Sequence, residues 1–136
     1  MVEFAGYILR IATKQWVNQV FDMAIYYTSI HRKWKPEQTI LFVHKTEAGD
    51  AIIGYGVIDA VHEKEELSEE EKSECKKYGW KKAIEFKYIK PLEKPLLIKE
   101  TPLKNMKLKG KLLHGFPLNK KEIESIINQA ETPTLN

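Results

Sequence analysis

The chain has 136 residues, 43% hydrophobic and 30% charged, with 22 Lys+Arg against 19 Asp+Glu and a formal net charge of +3. That size and balance fit a single domain over 1–136 with its own core and a frayed tail from about 131, and they exclude a disordered chain. The lone cysteine, Cys75, closes no internal disulfide, no run approaches the ~18 apolar residues of a membrane-spanning helix, and MVEFAGYILR lacks a signal-peptide pattern, so disulfide-stapled, secreted and membrane classes drop out and a cytoplasmic location is expected.

FAGYILRI (4–11) is an apolar run with β-favouring Tyr and Ile and reads as a buried first strand. Thr13 is placed to cap a helix over about 14–22, in which Trp16, Val17, Val20 and Phe21 share one face. MAIYYTSIHRKW (23–34) is aromatic and mixed, with no clear period. Pro36 in KPEQ suits a turn. TILFVHK (39–45) and AIIGYGVIDAV (51–61) read as the strands of a hairpin around Gly49 and Asp50. Gly54 and Gly56 flank Tyr55 and fall on one face of the second strand, where a bulge or a close neighbour fits.

Ser68 with Glu71 is a capping-box pattern that opens a helix of about 69–78, ending near Gly79, and its polarity marks a solvated insertion. In WKKAIEFKYIK (80–90), Ile84, Phe86 and Tyr88 keep the period-two spacing of a half-buried strand. Pro91 and Pro95 punctuate, and LLIK (96–99) reads as a short edge strand. Asn119, with Glu122 at the box position, caps a last helix of about 120–130 whose stripe is Ile123, Ile126, Ile127 and Ala130. Five or six short strands with few helices give the α+β class: a small, mostly antiparallel β-barrel with flanking helices.

Charge is unevenly spread. Residues 1–61 are net neutral, 62–75 net −5, 76–121 net +11 and 122–136 net −3. A stretch at +11 is able to form a cationic surface that attracts phosphates. Twenty of the basic residues are Lys and 16 of the acids are Glu, a balance that equally describes a thermophilic surface. With only Arg10 and Arg32 as arginines, base-edge readout has few forks to use.

The order of elements resembles the PUA-like superfamily, the small β-barrels that include PUA, ASCH, EVE and YTH domains. GYILRIATKQWVNQVF (6–21) is similar to the opening strand and helix of an EVE or ASCH domain. KWKPEQTILFVHK (33–45) is similar to the basic turn, of K-P-G-D type, that precedes an apolar strand in these domains, with Glu37 and Gln38 standing where Gly-Asp is usual. GDAIIGYGVIDAV (49–61) resembles the following strand, and WKKAIEFKYIKPLEKPL (80–96) a later strand ending in a Pro-containing segment. The Lys/Glu/Ile-rich composition places the chain in an archaeal branch. The resemblance implies binding of RNA or of a modified nucleobase; for ASCH-like members it implies, alternatively, a small amidohydrolase acting on modified nucleosides.

Recognition of unpaired bases uses aromatic platforms beside cationic groups. Tyr26 to Trp34 has that mixture, and Tyr27, Arg32, Lys33 and Trp34 are the candidates it offers; equally, Tyr27, Ile30 and Trp34 fit as a cover over the barrel mouth. Tyr55 between its glycines reads either as a further platform open to a ligand or as a ring packed where the glycines leave room. Lys111 and His114, near the start of the last helix, form a candidate phosphate site, while Gly115-Phe116-Pro117 also reads as a turn that aims Phe116 inward. Trp16 and Trp80 read as packing residues. Cys75, beside Lys76 and Lys77, is a candidate for a modestly lowered pKa. The amidohydrolase alternative needs a Lys, a Thr and a Glu to converge, with Lys14, Thr13 and Glu85 or Glu37 as candidates. Ser29 and His31 lack a third orienting group, and His31, His44, His62 and His114 lack metal-pair spacing, leaving only His44 and His62 able to meet across the hairpin. The reading is therefore a non-catalytic domain without cofactor or metal, with RNA or a modified nucleotide as partner; a thermophilic protein-interaction module is the remaining alternative.

Overall fold

The computed structural model describes residues 5–106 and 112–131. Its strands are β1 (Gly6–Arg10), β2 (Ile25–Thr28), β3 (Thr39–Thr46), β4 (Gly49–Glu63), β5 (Lys82–Leu97) and β6 (Pro117–Leu118). Its helices are α1 (Lys14–Met23), α2 (Glu69–Tyr78) and α3 (Lys120–Glu131). The strands form one sheet in the order β2-β5-β4-β3-β1-β6, with β1 and β3 parallel and every other pair antiparallel. The α+β class and the mostly antiparallel pairing agree with expectation, but the sheet is not closed into a barrel. β2 pairs with β5 over four residues and β6 with β1 over two, and among the described residues β2 and β6 are the open edges.

The apolar runs of β1 and β3 are continuous because both faces of the sheet are covered there. Tyr7, Leu9, Ile40 and Phe42 face one core with Val17 and Val20 of α1. Ile8, Leu41 and Val43 face a second core with Ile123 and Ile126 of α3. Helix termini follow their sequence signals. Thr13 Oγ1 accepts from the Trp16 amide, Ser68 and Glu71 close a capping box on α2, and Asn119 and Glu122 cap α3 reciprocally. Gly79 ends α2 in a left-handed conformation.

Three elements differ from the sequence reading. The unpatterned stretch 23–34 contains β2. LLIK is not a separate edge strand: Leu96 and Leu97 end β5, paired with Ile52 and Ala51 of β4, and a 3-10 turn (Ile98–Glu100) follows. The polar α2 is not wholly solvated, since Cys75 is fully buried and burial pushes its thiol up, which removes the expected activation by Lys76 and Lys77.

Two positions show how tightly the backbone is set. An added Cβ at Gly6 would lie 1.7 Å from the Thr39 carbonyl oxygen across the parallel β1–β3 pair. Glu37 adopts φ 74°, the left-handed conformation that glycine favours, in the turn where the resembled domains carry Gly. Beside it Gln38 is buried and spans the turn, with Oε1 accepting from the Lys35 amide at 2.9 Å and Nε2 donating to the Lys33 carbonyl at 3.0 Å. The turn is thus held by a side chain rather than relaxed by a glycine. Gly6→Ala is expected to destabilise the fold by about 3 kcal/mol or more, because the clash is with backbone. Glu37→Gly is expected to stabilise it by about 0.5–1 kcal/mol through relief of the left-handed strain, the exposed Glu37–Lys87 ion pair contributing little in return. Urea denaturation of the two variants measures both.

Candidate functional site

The two ends of the open sheet approach one another without strand pairing. The Tyr26 ring of β2 meets His114, just before β6, at 6.5 Å between centroids. Arg32, in the loop after β2, donates from Nε to the Gly115 carbonyl at 2.8 Å, and its guanidinium fills the space a Gly115 side chain would occupy. A cavity of about 190 Å³ lies in this region, lined by the end of β1 and its loop (Arg10, Ile11, Ala12), α1 (Trp16, Gln19, Val20), β2 (Ile25, Tyr26, Tyr27) and Trp80. A second, wider cavity of about 760 Å³ shares Trp16, Gln19, Tyr27 and Trp80 with it and adds Gln15, Tyr78 and the α2 residues Glu69, Glu70, Glu71, Ser73 and Glu74.

Trp16, Tyr27 and Trp80 form the common wall, and Tyr78 extends it on the wider side. Trp80 stacks on Tyr78 at 4.6 Å and on Tyr27 at 5.1 Å, and Trp16 meets Trp80 and Tyr78 edge-on at 5.6 and 5.4 Å. Tyr78 is 43% exposed at the mouth. Local sequence explains the assembly. The left-handed turn at Gly79 brings the last α2 residue and the first after it into contact, while Trp16 projects from the first turns of α1. Tyr27 fastens α2 to the sheet, donating its hydroxyl to Glu71 at 2.8 Å. That bond and the Ser68 hydroxyl hold the Glu71 carboxyl below its ordinary range, while burial and Glu71 push the Tyr27 hydroxyl up. Burial also pushes the Tyr26 hydroxyl up to about 12.

Of the residues singled out from sequence, Tyr27 lines both cavities. Trp34 does not: it is buried against Tyr7 at 4.8 Å and donates its indole N–H to the Ile30 carbonyl. Tyr55 belongs to the second core, with its hydroxyl donating to Glu131 and Lys90 over its ring. Arg32 is tied to backbone carbonyls and Lys33 is exposed. Lys111 lies outside the described residues. His114 accepts from the Arg10 amide through Nδ1 at 3.0 Å, and the neighbouring α3 terminus is already filled by its own Glu122. The structure therefore does not gather Tyr27, Trp34, Tyr55 and His114 into one concavity. Trp16, Trp80, Tyr78 and Gln19 line it instead. The signal for them was Tyr78-Gly79-Trp80, a helix stop with an aromatic ring on each side.

Charge at the site is opposite to that anticipated. Lys82, Lys87 and Lys90 of β5 pair with Glu63, Glu37 and Glu131, so these lysines of the cationic stretch are compensated, and Arg10 pairs with Asp50 at 3.1 Å. The hydrolase candidates are also dispersed: Thr13 caps α1, Glu37 receives Lys87 and Glu85 receives His62 at 2.8 Å. His44 and His62 do not meet across the hairpin, since their β-partners are Ala51 and Ala83; His44 Nδ1 bonds the Ile11 carbonyl. Among the described residues no group of acidic, His or Cys side chains is placed to hold a metal ion, and no helix is long and apolar enough to cross a membrane.

The histidines report on this arrangement. Hydrogen bonds that His62 donates to Glu85 and Glu66 raise its pKa above its ordinary 6.5, so its stabilisation is present below that value and is lost as pH rises through the folded pKa. Burial, with Arg32 and Arg10 nearby, lowers that of His114, so protonating it on acidification opposes folding and removes the acceptor for the Arg10 amide. In an NMR titration His62 is expected to titrate above 6.5 and His114 below it.

No family model matches the sequence, and no curated protein matches it. Solved structures do. ASCH from Zymomonas mobilis is similar with a TM-score of 0.65 at 11% identity, over 92% of this chain and 95% of that one. The YTH domain of the Zygosaccharomyces rouxii MRB1 protein, in complex with N6-methyladenosine RNA, has a TM-score of 0.61 at 10% identity over 100% of this chain and 92% of that one. The Pho92 YTH domain, in complex with m6A, has a TM-score of 0.57 at 13% identity over 100% and 90%. At such identities the likeness is one of fold: the chain is built like ASCH and YTH domains, two members of the superfamily its element order resembles.

Proposed function

We propose that this chain binds RNA, or a modified nucleobase within it, without catalysis. The observation that carries the reading is a cluster of four rings, three of them shared by two adjoining cavities and Tyr78 lining the wider one, an arrangement suited to an unstacked base. The wider cavity takes the base against Tyr78 and Trp80, and the smaller one, with Arg10 and Gln19 at its polar positions, receives what flanks it. The neighbours of like fold that hold N6-methyladenosine RNA and m6A support this choice of ligand class. Of the residues first considered, Tyr27 is the direct contact in this reading. Lys33 and Lys111 are proposed phosphate contacts, and Arg32, Trp34, Tyr55 and His114 hold the frame. A single domain of archaeal, thermophilic and cytoplasmic origin fits the same proposal. The amidohydrolase alternative has less support, because its Thr and Glu candidates are occupied in separate contacts.

Stacking dominates this reading and phosphate attraction is secondary. Fluorescence anisotropy with single-stranded RNA is expected to show binding that Tyr78→Ala and Trp80→Ala each weaken by about 1–3 kcal/mol, roughly 5- to 150-fold. The exposed Tyr78 makes its variant the safer test of binding apart from folding. The slope of log affinity on log salt is expected to be no steeper than about −2, since about 0.7 is lost per phosphate neutralised on a single strand. Absence of binding, or unchanged affinity in both variants, refutes the proposal.

A further inference from the structure

Aromatic stacking leaves one property of the site unused, its charge. The wider cavity has four carboxylates along its α2 wall, Glu69, Glu70, Glu71 and Glu74. Lys72 lies 3.6 Å from Glu69, whereas Glu70 and Glu74 carry no ion pair among the described residues. Glu71 is held ionised by its donors. Across the shared wall Arg10 is committed to Asp50 through three contacts of 3.1–3.3 Å, so it brings little net positive charge. A cation already sits on the ring cluster: Lys77 Nζ lies 5.2 Å from the centre of Tyr78.

Ring faces are negative in their quadrupole and attract cations, and nearby carboxylates add to that attraction. A phosphate in the same place would be repelled. We propose that the site selects a nucleobase bearing a delocalised positive charge, as one alkylated on a ring nitrogen does, over its neutral isomer. The inference rests on the base-binding reading above and names the class of base. The cationic ring lies against the aromatic wall with Glu70 and Glu74 facing its charge, while the sugar-phosphate chain leaves on the side away from α2.

Two constitutional isomers separate charge from shape and composition: 1-methyladenosine, a cation at pH 7, and N6-methyladenosine, which is neutral. As nucleosides they carry no phosphate to be repelled. Calorimetric titration of the full chain at low salt is expected to give about tenfold tighter binding of 1-methyladenosine, a preference that shrinks as salt is raised. The double variant Glu70→Gln/Glu74→Gln changes two exposed α2 positions. It is expected to keep the thermal midpoint and reduce the preference to about twofold. Equal or tighter binding of N6-methyladenosine overturns the inference and leaves the base-binding reading standing. A preference unchanged in the double variant overturns the role given to the carboxylates. Failure of both nucleosides and of single-stranded RNA overturns the base-binding reading itself, and the inference with it.

Discussion

The constraint on which the rest depends is that the sheet runs out of strand partners between β2 and the β1–β6 edge. Two open edges would normally expose unpaired backbone and invite further strands. Here side chains occupy the gap. Tyr26 lies against His114, Arg32 reaches the Gly115 carbonyl, and His114 accepts the Arg10 amide at the end of β1. Bulky side chains fill a seam less evenly than a hydrogen-bonded strand does, and the smaller cavity is lined from both sides of it. A closed barrel would have joined β2 to β6 by backbone and left less room. The incomplete pairing thus creates the concave surface, and the two burial-shifted groups, Tyr26 and His114, mark where it is sealed.

A second consequence concerns charge. The sequence places net −5 immediately before net +11, which in one dimension looks like an acidic insertion ahead of a basic platform. In three dimensions α2 folds back on the cavity through Cys75, the Tyr27–Glu71 hydrogen bond and the stack at Tyr78, so the acidic segment faces the site. Part of the basic segment lies on β5, and three of its lysines there meet carboxylates from β4, the turn before β3 and α3. Net charge over a window of sequence is a poor guide to local potential when a long strand carries the charges past several partners.

What was legible in the sequence was whatever has a local cause. Caps are decided within four residues, so Thr13, Ser68 with Glu71 and Asn119 with Glu122 located all three helix starts. The buried runs of β1 and β3 and the turn at Gly49 were equally plain. β2 was hidden because its four residues, Ile25–Thr28, take their strand conformation from Lys82–Glu85, far along the chain. β6 is only two residues and exists because β1 needs an outer partner. The site was partly hidden for the same reason. Trp34 and Trp80 both sit beside lysines in sequence, yet Trp34 packs on Tyr7 in the core while Trp80 joins Tyr27 and Trp16. That distinction is made by tertiary contacts, not by neighbours in sequence.

Tyr27 links these features. Its ring stacks on Trp80, its hydroxyl holds Glu71, and its backbone pairs with Ala83 near the start of β5. One residue therefore fixes the edge strand, the orientation of α2 and one wall of the cavity at once. An aromatic wall held in that way loses little further freedom when a ring is added to it, which lowers the ordering cost of binding. The same coupling means that the carboxylates of α2 cannot move away from the cavity without breaking the Tyr27–Glu71 bond and the Tyr78–Trp80 stack. The acidic wall is therefore as much a fixed feature of the site as the rings.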